Sequence, residues 1–377
     1  MTSVKKDKNL IVIQLSGGND YLNTVVPHGD GKYYDSRSVV NIPQDSVLDL
    51  DGKIGFNPSM KAIKSLWDQG KVAVINGIGY EEPNRSHFRS MDIWHTAEPN
   101  AIGREGWLGR VIRDLDPKGE NVLTGINFGR GLPRALGCPG VPVASVGDLE
   151  TYGLFPDLKD EDLRMFTLEA FSRMYGGAIG RDPVIDLLSQ TGQGALKGAD
   201  ILRTAPEIYQ SDVEYATDAL SQRVKNISQV LHADLGSRIL YTQHGSFDTH
   251  SGEIITHAKL WEEVDRAVGC LMDDLQEHGR EQDASILIFS EFGRRIRDNG
   301  SGSDHGSGGV AFLIDGSVQG GLYGEYPSLS EAEQLEGDLK SNNDFRSTYT
   351  DILEDWLDLD AVPITNGTFE KLGLFAS

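Results

Sequence analysis

Asp248 and His250 stand two residues apart in Gly245-Ser246-Phe247-Asp248-Thr249-His250, at the end of an apolar run. In an extended chain, residues two apart point to the same side, so a carboxylate and an imidazole can converge on one cation without a helix. A turn aspartate beside a surface histidine is the plain alternative. Further donors follow downstream. The run Ile286–Phe289 is succeeded by Glu291, and a Gly/Ser-rich loop then carries Asp304-His305 into a further apolar run, Val310–Ile314. An acid in the position of Glu291 is badly placed for packing unless it is paired, bound to a metal or on the rim of a sheet. Arg294 or Arg295 could supply the pair, and Arg294 could equally face an anionic group. The glycines around Asp304 and His305 let backbone approach a ligand closely. A mobile linker with a chance histidine is the other reading of that loop.

Two more candidates lie in the first hundred residues. Asp20 follows the first apolar run through Gly17-Gly18-Asn19, as a turn residue or as a ligand at a strand end. Ser86 opens a helical pattern in Pro83-Asn84-Arg85-Ser86-His87-Phe88. A serine there is an N-cap, or a nucleophile in the one place where free amides and the helix dipole stabilise negative charge. His87 could act on a leaving group or be structural. Asp20, Asp248, His250, Glu291, Asp304 and His305 are thus candidate ligands for a divalent cation. Mixed carboxylate and imidazole donors favour Zn or Mn, with Mg or Ca also open.

The elements that must hold these residues alternate in type. NLIVIQL (9–15) and KVAVI (71–75) read as strands apolar on both faces, with shorter strands at 122–128 and 141–146 and another at 238–242. Between the first two, Asn57-Pro58 starts a helix carrying Met60, Ile63, Leu66 and Trp67, stopped by Gly70. Phe88, Met91 and Trp94 mark the helix after Ser86. Leu260, Trp261, Val264, Val268, Leu271, Met272 and Leu275 form the core stripe of a long amphipathic helix, and 345–357 reads as a late one. This alternation predicts an α/β fold, a mainly parallel central sheet sandwiched between helices. The whole chain, 1–377, reads as one domain, with a mostly helical insertion over 151–235.

The 377 residues suffice for a large core, and a net charge of −22 repels nucleic-acid phosphates. It would also repel an anionic substrate unless metal ions or arginines reverse the sign locally. Cys138 and Cys270 make no disulfide framework, although one bridge is open to them. No apolar stretch approaches the ~20 residues that span a bilayer. The run after Lys5, Lys6 and Lys8 is shorter than the ~7–15 residue core of a signal peptide and reads as the first strand. A cytoplasmic location is expected on that ground, with export open if a leader was removed. Oligomeric state is not fixed by these features.

LSGGNDYLNTVVP, PNRSHF with a downstream Trp, FDTHS, SEFGRR, DHGSGG and DFRSTYTDILEDWL together resemble the DUF1501 family, of the alkaline phosphatase-like superfamily, in order along nearly the whole chain. That resemblance implies metals at the ends of a mainly parallel sheet. It also implies an Asp after the first strand (Asp20), a nucleophile at a helix start (Ser86), an Asp shortly followed by His (Asp248, His250) and a late His (His305). One departure stands out: where the superfamily usually has Asp-His, this chain has Glu291-Phe292, and Phe292 cannot replace an imidazole. The function implied is metal-dependent hydrolysis of small-molecule or polymer phosphate or sulfate esters through Ser86. The alternatives are a non-catalytic structural or binding descendant of the fold, or a phosphoryl or sulfuryl transferase.

Overall fold

The computed structural model describes residues 8–149 and 201–375, with scattered positions between them. The main sheet contains β1 (Asn9–Leu15), β2 (Val72–Gly79), β3 (Gly125–Phe128), β4 (Ala144–Val146), β5 (Ile239–His244) and β6 (Ala284–Ser290). A hairpin of β7 (Arg294–Asp298) and β8 (Ser303–His305) follows. The chain then returns to the sheet as β9 (Gly309–Ile314), β10 (Gly321–Tyr323) and the short β11 (Asn343–Asp344). The sheet order is β10-β2-β9-β6-β1-β5-β3-β4, with β11 beside β2. Only β9 runs antiparallel to its neighbours; the others pair parallel. The α/β class with a mainly parallel sheet between helices is therefore the fold of this chain.

The longer helices among the described residues are α1 (Lys61–Asp68), α2 (His87–Thr96), α3 (Trp107–Leu115), α4 (Ala219–His232), α5 (Glu253–Glu277) and α6 (Phe345–Asp351), with short ones over Gly31–Ser36 and Val362–Thr365. Every residue of β1 is buried, because both sheet faces are covered. Ile11, Ile13 and Leu15 join the layer of Trp261, Val264 and Leu271 from α5. Leu10 and Val12 join Trp94, Trp107 and Tyr349 on the other side. Period-two alternation thus feeds two separate cores.

Several boundaries differ from the sequence reading. The first helix begins at Lys61, since Asn57 closes a turn instead, its carbonyl accepting from Met60 N at 2.9 Å. The second strand runs on to Gly79. Phe88, expected on the packed stripe of its helix, is 91% exposed. The last helix passes into a π turn over Ile352–Trp356. Most of the first part of the expected insertion, 151–200, lies outside the described residues. Within 201–235 the chain forms α4 and a short turn of helix over Ala205–Ile208. Cys138 and Cys270 are both free thiols. Among the described residues, no helix is long and apolar enough to cross a membrane.

Parallel pairing sets the functional edge. Leu15 lies opposite both His244 and Ser290, so the segments leaving β1, β5 and β6 emerge side by side. Gly309, where β9 enters, lies opposite Ile78 near the end of β2. Under this edge sits a buried charge cluster. Arg37 grips Asp20 through Nη1 and, at 2.9 Å, through Nη2, and donates to the carbonyls of Arg295 and Ile296. Glu253 lies 3.7 Å from Arg37 and accepts from Asn23 and Ser303. Two acids thus share one guanidinium.

Burial and the Asp20 charge push the Glu253 carboxyl from 4.5 up to about 9. Burial alone would raise Asp20 too, but Arg37 outweighs it and holds that carboxyl well below the ordinary range. Between pH 4.5 and 9 folded Glu253 keeps a proton that the unfolded chain releases, so its contribution to stability declines as pH rises through that window. Glu253→Gln should flatten the fall of thermal midpoint over this range relative to the parent. Melting curves across the window check it, and an unchanged slope would mean that Glu253 is ionised in the folded chain.

Candidate active site

Four side chains meet at the carboxyl edge of the sheet. His305 Nε2 lies 3.0 Å from His87 Nε2, 3.0 Å from His250 Nε2 and 3.1 Å from Asp248 Oδ1. His250 Nε2 is 3.0 Å from the same Asp248 oxygen, and His87 Nε2 is 3.5 Å from Oδ2. Each ring is anchored by its other nitrogen. His87 Nδ1 donates to Glu291 Oε1 at 2.8 Å, His250 Nδ1 to Asp304 Oδ1 at 2.9 Å, and His305 Nδ1 to the Arg85 carbonyl at 2.9 Å. Carboxylates and carbonyls only accept, so these contacts place a proton on each Nδ1, and in the neutral rings Nε2 is then a lone pair. Lone pairs 3.0 Å apart repel unless a cation lies among them. The donor set therefore fits a divalent ion, with the carboxylate–histidine anchoring typical of ligand shells.

Local sequence explains the convergence. His87 sits on the first turn of α2, reached from β2 by the 80–86 loop. Asp248 and His250 follow β5 in a turned segment, where Thr249 N donates to the Phe247 carbonyl and His250 N to the Asp248 carbonyl, and His305 ends β8, paired with Arg294 across the hairpin. The loop after β1 fits closely against them. Gly17 has φ +124°, and a Cβ there would lie 2.4 Å from Asp248 N; a Cβ on Gly18 would lie 2.3 Å from the Phe292 ring.

The structure brings Asp248, His250 and His305 together and adds His87, which the sequence reading had put toward a leaving group. His87 supplies an imidazole that Phe292 cannot. The Phe292 ring instead lies 4.9 Å from His87 and 5.3 Å from His305, as a wall beneath them. Four expected site residues take other positions. Asp20 is fully buried with both oxygens on Arg37. Glu291, 2% exposed in its side chain, accepts from His87, Gly17 N and Ser290 Oγ, so both its oxygens are engaged and it orients the His87 ring. Asp304 orients His250 in the same way. Arg294 has no exposed side-chain surface and spends its donors on the carbonyls of Gly17, Gly18, Phe247 and Ser303 and on Asp248. Being fully buried, it presents no surface to an anionic substrate.

Ser86 is exposed at the head of α2. Its backbone takes the cap position, yet its hydroxyl makes no cap hydrogen bond, and its N–H donates to Asn84 Oδ1 at 2.8 Å. The expected N-cap bond is thus missing, and Ser86 lines a cleft of about 830 Å³ together with His87, Asp248 and Glu291. Phe88 and Ile102, 91% and 80% exposed, line this cleft. His95 lines it too: its Nε2 donates to Gln14 Oε1 at 2.7 Å, and burial pushes its pKa down to about 4. Nothing in the spacing of Gln14 or His95 marked them; they meet only across the sheet.

Electrostatics follow burial and pairing. The Glu291 hydrogen bond raises His87 against the opposing effect of burial. Burial lowers His305. Burial would raise Asp248, but Arg294 outweighs it and keeps the carboxylate ionised. The hydrogen bond from His250 lowers Asp304.

Residues 190–353 match the family described as "Protein of unknown function (DUF1501)", a stretch that includes Asp248, His250, Glu291, Asp304 and His305. The resemblance read from the sequence motifs holds there. No curated protein matches the chain. Among solved structures, the chain is similar to the sulfatase PsFucS1 from Pseudoalteromonas sp. at 12% identity and TM-score 0.42, covering 99% of this chain and 72% of that one. A protein in the alkaline phosphatase superfamily from Vibrio parahaemolyticus is similar at 10% identity and TM-score 0.37, over 85% and 63%. The Zn complex of the C-terminal periplasmic domain of EcEptC from Escherichia coli is similar at 9% identity and TM-score 0.37, over 83% and 74%. At such distances the chemistry rests on this chain's own residues.

Glu291→Gln keeps the shape of the side chain and an oxygen for His87 and Gly17, but removes the charge behind the imidazole. It should weaken divalent-metal affinity about 10–100-fold with little change in the metal-free thermal midpoint. Calorimetric titration with Zn or Mn checks it; equal affinity in both proteins would take His87 out of the ligand set.

Proposed function

We propose that this chain is a metal-dependent hydrolase of phosphate or sulfate esters with Ser86 as nucleophile. The observation that carries the reading is Ser86, its hydroxyl free of a cap bond, in the same cleft as His87 and Asp248, which meet His250 and His305 at the sheet edge. His87, Asp248, His250 and His305 would hold the ion, and their mixed donors suit Zn or Mn. Once bound, a divalent ion supplies positive charge that polarises the ester and eases ionisation of a nearby hydroxyl. This charge matters in a chain of net −22, where Asp248, Glu291 and Asp304 would otherwise repel an anionic ester.

The chain's own residues do the rest. Ser86 Oγ attacks phosphorus or sulfur, forming the seryl ester and breaking the bond to the leaving oxygen. That oxygen departs as an alcohol, with the proton that the hydroxyl gave up. Water then cleaves the seryl ester, restores the hydroxyl and releases phosphate or sulfate. By helix geometry the N–H groups of the first turn of α2 have no intrahelical partner, and they lie where negative charge develops. Phe88, Met91 and Ile102 offer an apolar surface to the alcohol portion. A second cavity of about 1120 Å³ adjoins through Ser16 and Gly245 and carries Arg130, Arg223 and Lys225, room for a larger anionic substrate.

The test combines elemental analysis with turnover of aryl phosphate and aryl sulfate esters. Ser86→Ala should cut turnover by about 10⁴-fold or more and leave metal content intact. Asp248→Ala/His250→Ala should lose the metal and the activity together. Turnover surviving in Ser86→Ala would assign attack to solvent. Metal without turnover of any ester would favour the binding-protein alternative.

A further inference from the structure

A second group of donors lies far from Asp248. α4 and α5 lead into β5 and β6 by short connections, so their last turns lie at the opposite, amino edge of the sheet. His232 ends α4; Asp274 and His278 lie one turn apart at the end of α5. Each of the three offers one ligand atom within 4.8 Å of the others. The His232 and His278 ring centroids are 3.8 Å apart.

The hydrogen bonds leave two buried atoms of this group, His232 Nε2 and Asp274 Oδ1, without partners. His232 Nδ1 donates to the Ser228 carbonyl at 2.7 Å, which puts the lone pair on Nε2, and Nε2 is buried without a partner. The Asp274 side chain has no exposed surface. Its Oδ2 accepts from Ser228 Oγ at 2.6 Å, from Tyr215 at 2.8 Å and from Tyr209. Its Oδ1 accepts no hydrogen bond, although it lies 3.2 Å from His278 Nδ1. His278 Nε2 lies 2.8 Å from the Gln210 carbonyl, so it carries a proton and a neutral ring presents its Nδ1 lone pair. That lone pair would face Asp274 Oδ1 and, at 2.8 Å, the Asp274 carbonyl, two acceptors. Leaving a buried donor or acceptor unmet is costly.

We propose that His232, Asp274 and His278 form a second metal site, for a borderline divalent ion such as Zn, independent of the Ser86 centre. His232 Nε2, Asp274 Oδ1 and His278 Nδ1 are its ligands. The Ser228 and Gln210 carbonyls and the Tyr209, Tyr215 and Ser228 hydroxyls orient them, and solvent completes the shell on the part-exposed His278 side. The ion would clamp the ends of α4 and α5 and the 209–215 segment, a structural role. Protonated His278 is the competing arrangement: it satisfies that ring and the Asp274 charge, but leaves His232 Nε2 unpartnered.

The full chain, stripped with chelator, is titrated with Co as a spectroscopic probe and then with Zn, in the parent, in Asp248→Ala/His250→Ala and in each protein with His232→Ala or His278→Ala added. The expected result is about one equivalent still bound by Asp248→Ala/His250→Ala, with a Co spectrum and a Zn-dependent rise in thermal midpoint. Both are lost when either histidine of the second site is removed. Should Asp248→Ala/His250→Ala fold poorly, the parent decides, since His278→Ala alone must lower its stoichiometry by about one equivalent. Binding unaffected by His232→Ala and His278→Ala, or no binding outside the Ser86 centre, overturns the proposal. Because the two sites are deleted separately, failure of one is not read as failure of the other.

Discussion

The Arg294 guanidinium is the constraint on which the carboxyl edge of this molecule depends. It is fully buried, and it donates to the carbonyls of Gly17 and Gly18 after β1, of Phe247 after β5 and of Ser303 in the β7–β8 hairpin. Three segments remote in sequence are thereby tied to one rigid, planar fork, which a lysine could not reproduce. Its remaining contact, to Asp248, puts a carboxylate at the centre of the imidazole cluster. A buried charge of this kind is tolerated because each guanidinium nitrogen has an acceptor.

Around that fork the site is built in two shells with opposite exposures. The four clustered side chains are part-exposed, with side-chain exposures of 29% for His87, 45% for Asp248 and His250 and 26% for His305. Glu291 and Arg294 behind them are almost wholly buried. Burial holds the groups behind rigidly, while the clustered imidazoles and Asp248 in front stay open to solvent. Phe292 belongs to this scheme as packing: its ring fills the space over Gly18 and supports His87, the imidazole delivered from the head of α2. The loss of a histidine from one strand end is thus matched by a histidine from a helix end.

A different balance holds beneath the edge. Asp20, Arg37 and Glu253 bury two carboxyls with one guanidinium, and the charge count is met by a proton on Glu253 rather than by a second cation. The same sheet therefore carries one acidic cluster open to the cleft and another sealed under it. Which kind a given aspartate joins depends on what lies opposite: Arg37 for Asp20, a ring of imidazoles for Asp248.

Much of the frame was legible in the amino-acid sequence, because hydrophobic period and turn chemistry are local properties. Strands apolar on both faces specified a mainly parallel sheet between helices, and the two-residue spacing of Asp248 and His250 marked two donors for one cluster. Glu291, Asp304 and Arg294 could be placed at strand ends but not assigned roles. Whether a carboxylate joins the imidazole cluster, or anchors the far nitrogen of one of its rings, turns on contacts such as His87 to Glu291 and His87 to His305, more than two hundred residues apart. No local pattern encodes which acceptor a ring nitrogen will find, so the tautomers, the shells and the recruitment of His87 were decided by tertiary structure alone.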